Sequence, residues 1–403
     1  MNKLAIDGGT PVRTEAFAEW PVFGELEERM VTEAIRSGKW GGSGVVKGSG
    51  REPMLPLFER KFAELQDAEY AVNVVNGTVA ITVALQAAGV KPGDEVIVPP
   101  YTFIATATAA LAYGAIPVFA DIEEHTLMLD PDKAEQAITP RTKAVIPVHL
   151  AGASADMDRF TELGRKYGLS VIEDAAQAAG TAWKGKGVGS HGTAGTFSFQ
   201  SSKNLNAGEG GILLTNDSAV WERAWSICNV GRVPGGEWYG HKHLGQNYRM
   251  TELQAALLLA QMTRLEEQMQ TRERNAALLD GLLEEVEGIV PPFRDERVTR
   301  HANHLYMFRI DPAWTDRVAK TDFIRKLQAE GIPASAGYFA LNRNEAIIGA
   351  IREWTGAERI DACPVCERVS DKEVVWLGQQ VLLSDEKAIR DVALAVRKVI
   401  SSY

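Results

Sequence analysis

The chain has 403 residues, 45% of them hydrophobic and 24% charged. That is the composition of an ordinary globular protein, and its length exceeds what one core usually holds, so two domains are expected. A formal net charge of −10 disfavours nucleic acid as a main partner, because phosphate backbones select a basic face. Three cysteines, Cys228, Cys363 and Cys366, are too few and too odd in number for a disulfide framework and fit a reducing compartment, the cytoplasm.

In chain order, the first nine residues contain no apolar stretch of signal-peptide length, so no export is expected. Residues 40–50 form a glycine-rich loop that does not match a nucleotide-binding fingerprint between a strand and a helix; it reads as a mobile substrate-side loop or as a linker. From about residue 67 to 217, helical stretches alternate with short apolar runs at 95–98, 117–120, 144–148, 170–173 and 211–214. Runs that are apolar on both faces fit the interior strands of a mainly parallel sheet covered by helices. The uncharged segment 96–120 is long enough to cross a bilayer. Pro99, Pro100, Gly114 and Pro117 divide it into strand, helix and strand, so it reads as a buried βαβ unit and no membrane partner is expected.

Residues 251–286 read as one or two long helices, with Leu253, Ala256, Leu257 and Ala260 at helical spacing. Pro291-Pro292 marks a break. Strands at 305–310 and 374–377 and helices at about 321–330 and 385–401 then form a smaller α+β unit. The expected division is an N-terminal arm with its loop over 1–50, a large domain over 51–270 and a small C-terminal domain over 271–403. Cys363-Pro364-Val365-Cys366 has the spacing of half a zinc or redox site, but no second pair completes a tetrahedral set, and no metal is expected.

The chemistry is concentrated at strand ends. Lys203 lies where the strand-like run Phe197-Ser198-Phe199 breaks into a small-residue turn ending in Gly208-Glu209-Gly210-Gly211. An amine held there can form an imine with an aldehyde cofactor such as pyridoxal phosphate, which also needs a carboxylate for its ring nitrogen, a flat face and donors for its phosphate. Asn76-Gly77-Thr78 follows an apolar run and opens a helix, the place where free backbone N–H groups and the helix dipole favour an anion; a helix cap without a ligand is the alternative. Asp174 closes the run 170–173, and ligands in open α/β sheets gather at such carboxyl ends; a cap for the next segment is its plainer reading. Glu173 should point to the opposite face of that strand. Phe103 lies just past another strand end and offers a stacking face, or a core side chain. Ser198 offers a hydroxyl to the phosphate site or to a neighbouring backbone group.

Asn76-Gly77-Thr78, residues 100–106, Glu173-Asp174-Ala175-Ala176-Gln177, Phe197-Ser198-Phe199 with Lys203, Gly208-Glu209-Gly210-Gly211 and Asn247-Tyr248-Arg249-Met250 together resemble the DegT/StrS family of sugar aminotransferases. The resemblance runs over nearly the whole chain. It implies the aspartate-aminotransferase fold, α/β with a large mainly parallel αβα domain and a smaller C-terminal α+β domain, and pyridoxal 5'-phosphate as cofactor. It further implies Lys203 as the imine lysine, Asp174 as the pyridine partner, Phe103 as the stacking face and Gln177 as a further cofactor contact. Gly77, Thr78 and Ser198 would hold the phosphate, and Asn247 would reach it from the second subunit of a homodimer. Phe199-Gln200, Cys363-Pro364, Val375-Trp376-Leu377 and Val381-Leu382-Leu383 are similar to the branch acting on six-membered carbocycles, the glutamine-dependent scyllo-inosose aminotransferases and the 3-amino-5-hydroxybenzoate synthases. The implied reaction is ping-pong transfer of an amino group, via pyridoxamine phosphate, from L-glutamine or L-glutamate to a keto-cyclitol or keto-sugar. Trp40, His304, Tyr338 and Phe339 read as pocket-lining groups or as ordinary packing.

Overall fold

The computed structural model describes residues 3–41, 53–357 and 359–403. The glycine-rich loop lies, from residue 42 onward, outside the described residues. A seven-stranded sheet organises the larger part of the chain, in the spatial order Tyr70–Val74, Gly211–Thr215, Ala194–Ser198, Ser170–Asp174, Thr142–Val145, Glu95–Val98, Ile116–Phe119. The last five of these run parallel to one another, while Gly211–Thr215 pairs antiparallel with both of its neighbours. Burial follows from that layout. Glu95–Val98, Ile116–Phe119 and Gly211–Thr215 are buried at every position, as expected of strands covered on both faces. The uncharged segment folds as the strand Glu95–Val98, the helix Ala105–Ala112 and the strand Ile116–Phe119. Among the described residues no helix is long and apolar enough to cross a membrane.

Residues 252–284 form one helix, Glu252–Glu284, opened by a capping box in which Thr251 accepts from the Gln254 amide and Gln254 Oε1 accepts from the Thr251 amide. Leu258 and Leu259 of this helix belong to the core around the large sheet. Ala276, Leu279 and Leu283, two turns and more further on, belong to a second core. The expected boundary at residue 270 thus falls inside a continuous helix. The second core is built on a three-stranded antiparallel sheet, Ile289–Val290, Leu305–Ile310 and Val374–Gly378, against which the helices Lys320–Ala329 and Glu386–Ile400 place Phe323, Leu327, Ile389 and Val396.

Two alternations in the large sheet aim side chains at its carboxyl edge. Phe197 and Phe199 point into the core and meet Phe62 edge-on, with ring centroids 4.9 and 5.3 Å away, so the residue between them, Ser198, faces the other way. Glu173 and Asp174 divide in the same manner. Glu173 is fully buried, accepts hydrogen bonds from the amides of Gly189, His191 and Gly192 at 2.6, 2.8 and 2.7 Å, and meets His149 Nε2 at 2.9 Å. Burial by itself would raise its pKa, but His149 and these amides outweigh that and hold the carboxyl below its ordinary range. His149 Nδ1 accepts from the Ala155 amide at 3.1 Å, so the neutral ring carries its proton on Nε2, directed at Glu173.

Candidate active site

A cavity of about 680 Å³ opens at the carboxyl ends of the parallel strands, and Gly77, Thr78, Phe103, Asp174, Gln177, Ser198 and Lys203 all line it. At one end the strand Tyr70–Val74 leads into the helix Gly77–Ala87, whose N-cap Asn76 accepts from the Val79 amide at 2.9 Å. The cap leaves the first-turn amides of Gly77 and Thr78 without an acceptor in the helix. Ser198 stands directly opposite: a Cβ on Gly77 would sit 2.7 Å from Ser198 Cβ and 3.2 Å from its Oγ. Only glycine permits this approach, and the result is a concave anion cradle of amides and hydroxyls. The family resemblance assigns the phosphate of pyridoxal phosphate to this cradle, and on that reading Gly77→Ala should weaken its binding about 10-fold, the effect of one to two kcal/mol of overpacking. Titration of cofactor-free protein checks this, and unchanged affinity would remove the cradle.

Asp174, at the end of its strand, is buried. Its Oδ2 accepts from Thr106 Oγ1 at 2.7 Å and its Oδ1 from the Ala176 amide at 3.2 Å, and Thr106 is in turn 3.0 Å from Thr102 Oγ1. Gln177 is fixed by its neighbours. The Ala151 amide donates to its Oε1 at 2.6 Å, and its Nε2 donates to Tyr338 Oη at 2.9 Å. Lys203 follows the strand Ala194–Ser198 on a turn closed by bonds from the Ser201 amide to the Gly208 carbonyl and from the Lys203 amide to the Gln200 carbonyl, 3.0 and 2.9 Å. Its ammonium is half-buried, and desolvation, opposed by the charge of Asp174, brings its pKa down to about 8.

The remaining wall comes from the C-terminal part of the chain. His304, Leu305, Tyr338, Trp376, Gln379 and Gln380 line the same cavity. Tyr338 packs edge-on against Trp376, centroids 4.4 Å apart, and its ring lies 6.3 Å from that of Phe103. Trp376 Nε1 donates to Tyr101 Oη at 3.0 Å. Sequence reasoning singled out His304 and Tyr338 but not Gln379, Gln380 or the Thr102–Thr106 pair; the i, i+4 spacing of those two threonines next to Phe103 was the available signal. Phe339 is 78% exposed and Trp40 is 58% exposed, and neither lines the cavity. Asn247 is exposed and likewise stands outside this chain's cavity, bridging to Asn229. Cys363 and Cys366 are buried free thiols whose pKa values burial drives upward, the opposite of what a thiolate ligand or nucleophile requires. Among the described residues there is no group of three or more His, Cys, Asp or Glu that would hold a metal ion.

The fold of the chain also matches solved structures. The chain matches the crystal structure of 3-amino-5-hydroxybenzoic acid synthase with a TM-score of 0.86 and 35% identity, covering 97% of this chain and 100% of that one. The fold is that of the fold-type I pyridoxal-phosphate-dependent transaminases. The chain belongs to the DegT/DnrJ/EryC1/StrS aminotransferase family, whose model matches residues 23–397. An L-glutamine:2-deoxy-scyllo-inosose aminotransferase of Streptomyces lividus is 37% identical over 419 residues, covering 99% of this chain and 98% of its own. A 3-amino-5-hydroxybenzoate synthase of Amycolatopsis mediterranei is 37% identical over 393 residues, covering 96% of this chain and 97% of its own.

Proposed function

We propose that this transaminase moves the amino group of L-glutamine or L-glutamate to the ketone of a scyllo-inosose-type keto-cyclitol, acting as a cytoplasmic homodimer. The observation that carries the proposal is the convergence of Lys203, Asp174 and the Gly77–Thr78 turn on one cavity whose lining also includes the neutral polar side chains of Gln200 and Ser202 beside the lysine and of Tyr338, Gln379 and Gln380 from the C-terminal part. Amides and hydroxyls both donate and accept, which suits a ring bearing several hydroxyl groups. Relatives named as aminotransferases of 2-deoxy-scyllo-inosose support the same acceptor.

Pyridoxal phosphate, when bound, supplies an aldehyde that accepts the amino group and a ring that draws electron density from the donor's α-carbon. Gly77, Thr78 and Ser198 would hold its phosphate, Phe103 would offer a face to its ring and Gln177 would be a further contact. Asp174, kept in place by Thr106 and the Ala176 amide, would present a negative charge to the ring nitrogen. Lys203 would serve as the amine that anchors the aldehyde. The same amine would carry the donor's α-proton, a task for which a pKa of about 8 is better matched to neutral pH than that of an ordinary lysine. Asn247, exposed and apart from this cavity, would reach the phosphate in the second copy.

A panel of ketones tests the acceptor: scyllo-inosose, 2-deoxy-scyllo-inosose and nucleotide-linked keto-sugars, each with glutamine and with glutamate, with the amine product read by mass spectrometry. Transfer to the cyclitols is expected. Transfer only to nucleotide-linked sugars would replace the acceptor, and no transfer to any ketone, with conversion of the 3-amino-5-hydroxybenzoate synthase type instead, would favour the second reading that the structural match supports.

A further inference from the structure

The turn carrying Lys203 is gripped from outside at successive residues. Trp20 Nε1–H donates to the Ser201 carbonyl at 3.0 Å, and Gln379 Nε2–H donates to the Ser202 carbonyl at 2.8 Å. On the other side of the lysine, Asn204 Nδ2 donates to the Ala302 carbonyl at 2.7 Å, and Asn204 Oδ1 lies 2.9 Å from His304 Nδ1. The two donors that precede Lys203 come from positions about 360 residues apart in the chain, yet they share one support. Arg272, on the long helix Glu252–Glu284, donates from Nη2 to Gln379 Oε1 and holds its guanidinium 5.4 Å from the centroid of the Trp20 ring.

The direction of this chain of bonds has no alternative. A guanidinium only donates and a peptide carbonyl only accepts, so Gln379 must turn its oxygen to Arg272 and its nitrogen to Ser202. The cation at the end strengthens the amide that follows it, since charge-assisted bonds polarise their neighbours. Arg272 itself is an unusual residue to keep. It is fully buried, has no carboxylate partner among the described residues, and its Nε and Nη1 have no hydrogen-bond acceptor. Burial pushes its pKa down to about 9. A buried unpaired charge disfavours folding, and an apolar side chain of similar volume is often neutral or stabilising at such a place. Packing does not account for an arginine here; its contacts with the two groups that hold the lysine turn do.

We propose that Arg272 is a positioning residue for Lys203: through Trp20 and Gln379 it fixes the peptide planes of Ser201 and Ser202, and with them the direction in which the lysine enters the cavity. The proposal rests on the reading of Lys203 as the amine that meets the cofactor. The titratable groups that share the cavity with that amine are Asp174 on the strand end, His304 ahead of the second sheet, Tyr338 across the cavity and Glu209 at the end of the turn; of these, His304 also feels the charge of Arg272. Arg272→Lys, Trp20→Phe and Gln379→Met keep every charge in place, so a change in Lys203 titration in those variants reports its hydration and orientation, while Arg272→Met adds the loss of a cation.

The experiment uses the full chain without cofactor, measuring acetylation of Lys203 by acetic anhydride against pH by peptide mass spectrometry, in wild type and in Arg272→Met, Arg272→Lys, Trp20→Phe and Gln379→Met. A loosened turn admits water, so the apparent pKa should rise by about one unit in Arg272→Met, with smaller rises in Trp20→Phe and Gln379→Met and partial return in Arg272→Lys. The denaturation midpoint of Arg272→Met should not fall, which a purely structural role would require. Wild-type titration of Lys203 in Trp20→Phe, Gln379→Met and any folded Arg272 variant would overturn the proposal. Borohydride reduction after adding pyridoxal phosphate separates the two layers. If wild-type Lys203 is not modified, the reading of the site falls and takes the proposal with it; if it is modified but the variants titrate alike, only the positioning role falls.

Discussion

Replacing Lys203 with alanine is expected to lower turnover by at least about 10³-fold, because in the proposed mechanism one side chain is both anchor and proton carrier, and each role is worth orders of magnitude. The chemical basis is the state of its amine. Desolvation places its pKa at about 8, so near pH 8 half of the molecules carry a neutral, nucleophilic amine, about 10²-fold more than a lysine of ordinary pKa near 10.4 would offer. The sign is fixed by this: uptake of pyridoxal phosphate by cofactor-free protein should accelerate as pH rises through about 8 and level off above it. Stopped-flow absorbance gives the profile, and a borohydride-stable mass increase on the Lys203 peptide, absent in Lys203→Ala, identifies the residue. A variant keeping a tenth of wild-type turnover would refute the assignment.

Asp174→Asn should be nearly as damaging, lowering turnover by about 10²- to 10³-fold, the scale of removing one preorganised charge from a water-poor site. Asparagine retains the size of the side chain and an oxygen for Thr106 Oγ1, which now donates to Asp174 Oδ2 at 2.7 Å, so the fold should be kept while the charge is lost. A second readout distinguishes this from local disorder. The Asp174 charge favours the protonated form of Lys203, and its removal should move the lysine titration downward. Loss of the Arg272 support should move it upward. Turnover within threefold of wild type, or an upward shift, would show that Asp174 does not face the cofactor ring.

Much of this was legible in the sequence, and the reasons are local. Glu95–Val98 and Leu305–Ile310 occupy the residues expected of them, because short runs dominated by β-branched, aromatic and other apolar residues between turn residues leave a strand few other places to go. Period-two alternation separated Glu173 from Asp174. The strand at 144–148 is shifted, pairing as Thr142–Val145. Pro147 has no amide to offer a ladder, and the chain beyond Val145 turns to give its carbonyl to the Asp174 amide at 2.9 Å. The far wall of the cavity was less legible. Tyr338, Trp376 and Gln379 lie more than 130 residues from Lys203, and no periodicity reports that a side chain from the second core will close over the edge of the first sheet. Phe339 shows the limit in a single step: it neighbours Tyr338 in sequence, yet it turns outward.

The continuous helix from Glu252 to Glu284 bears on how the protein can move. Since its first half is embedded in one apolar interior and its last turns in the other, this helix joins the two bodies without slack. Any opening or closing over substrate must be taken up by bending of a stiff rod or by sliding of side chains along its flank, a shear and not a swing on a hinge. Arg272 sits along that rod, 20 residues from its start. A strain that flexes the rod would be felt at the lysine before either body had visibly shifted.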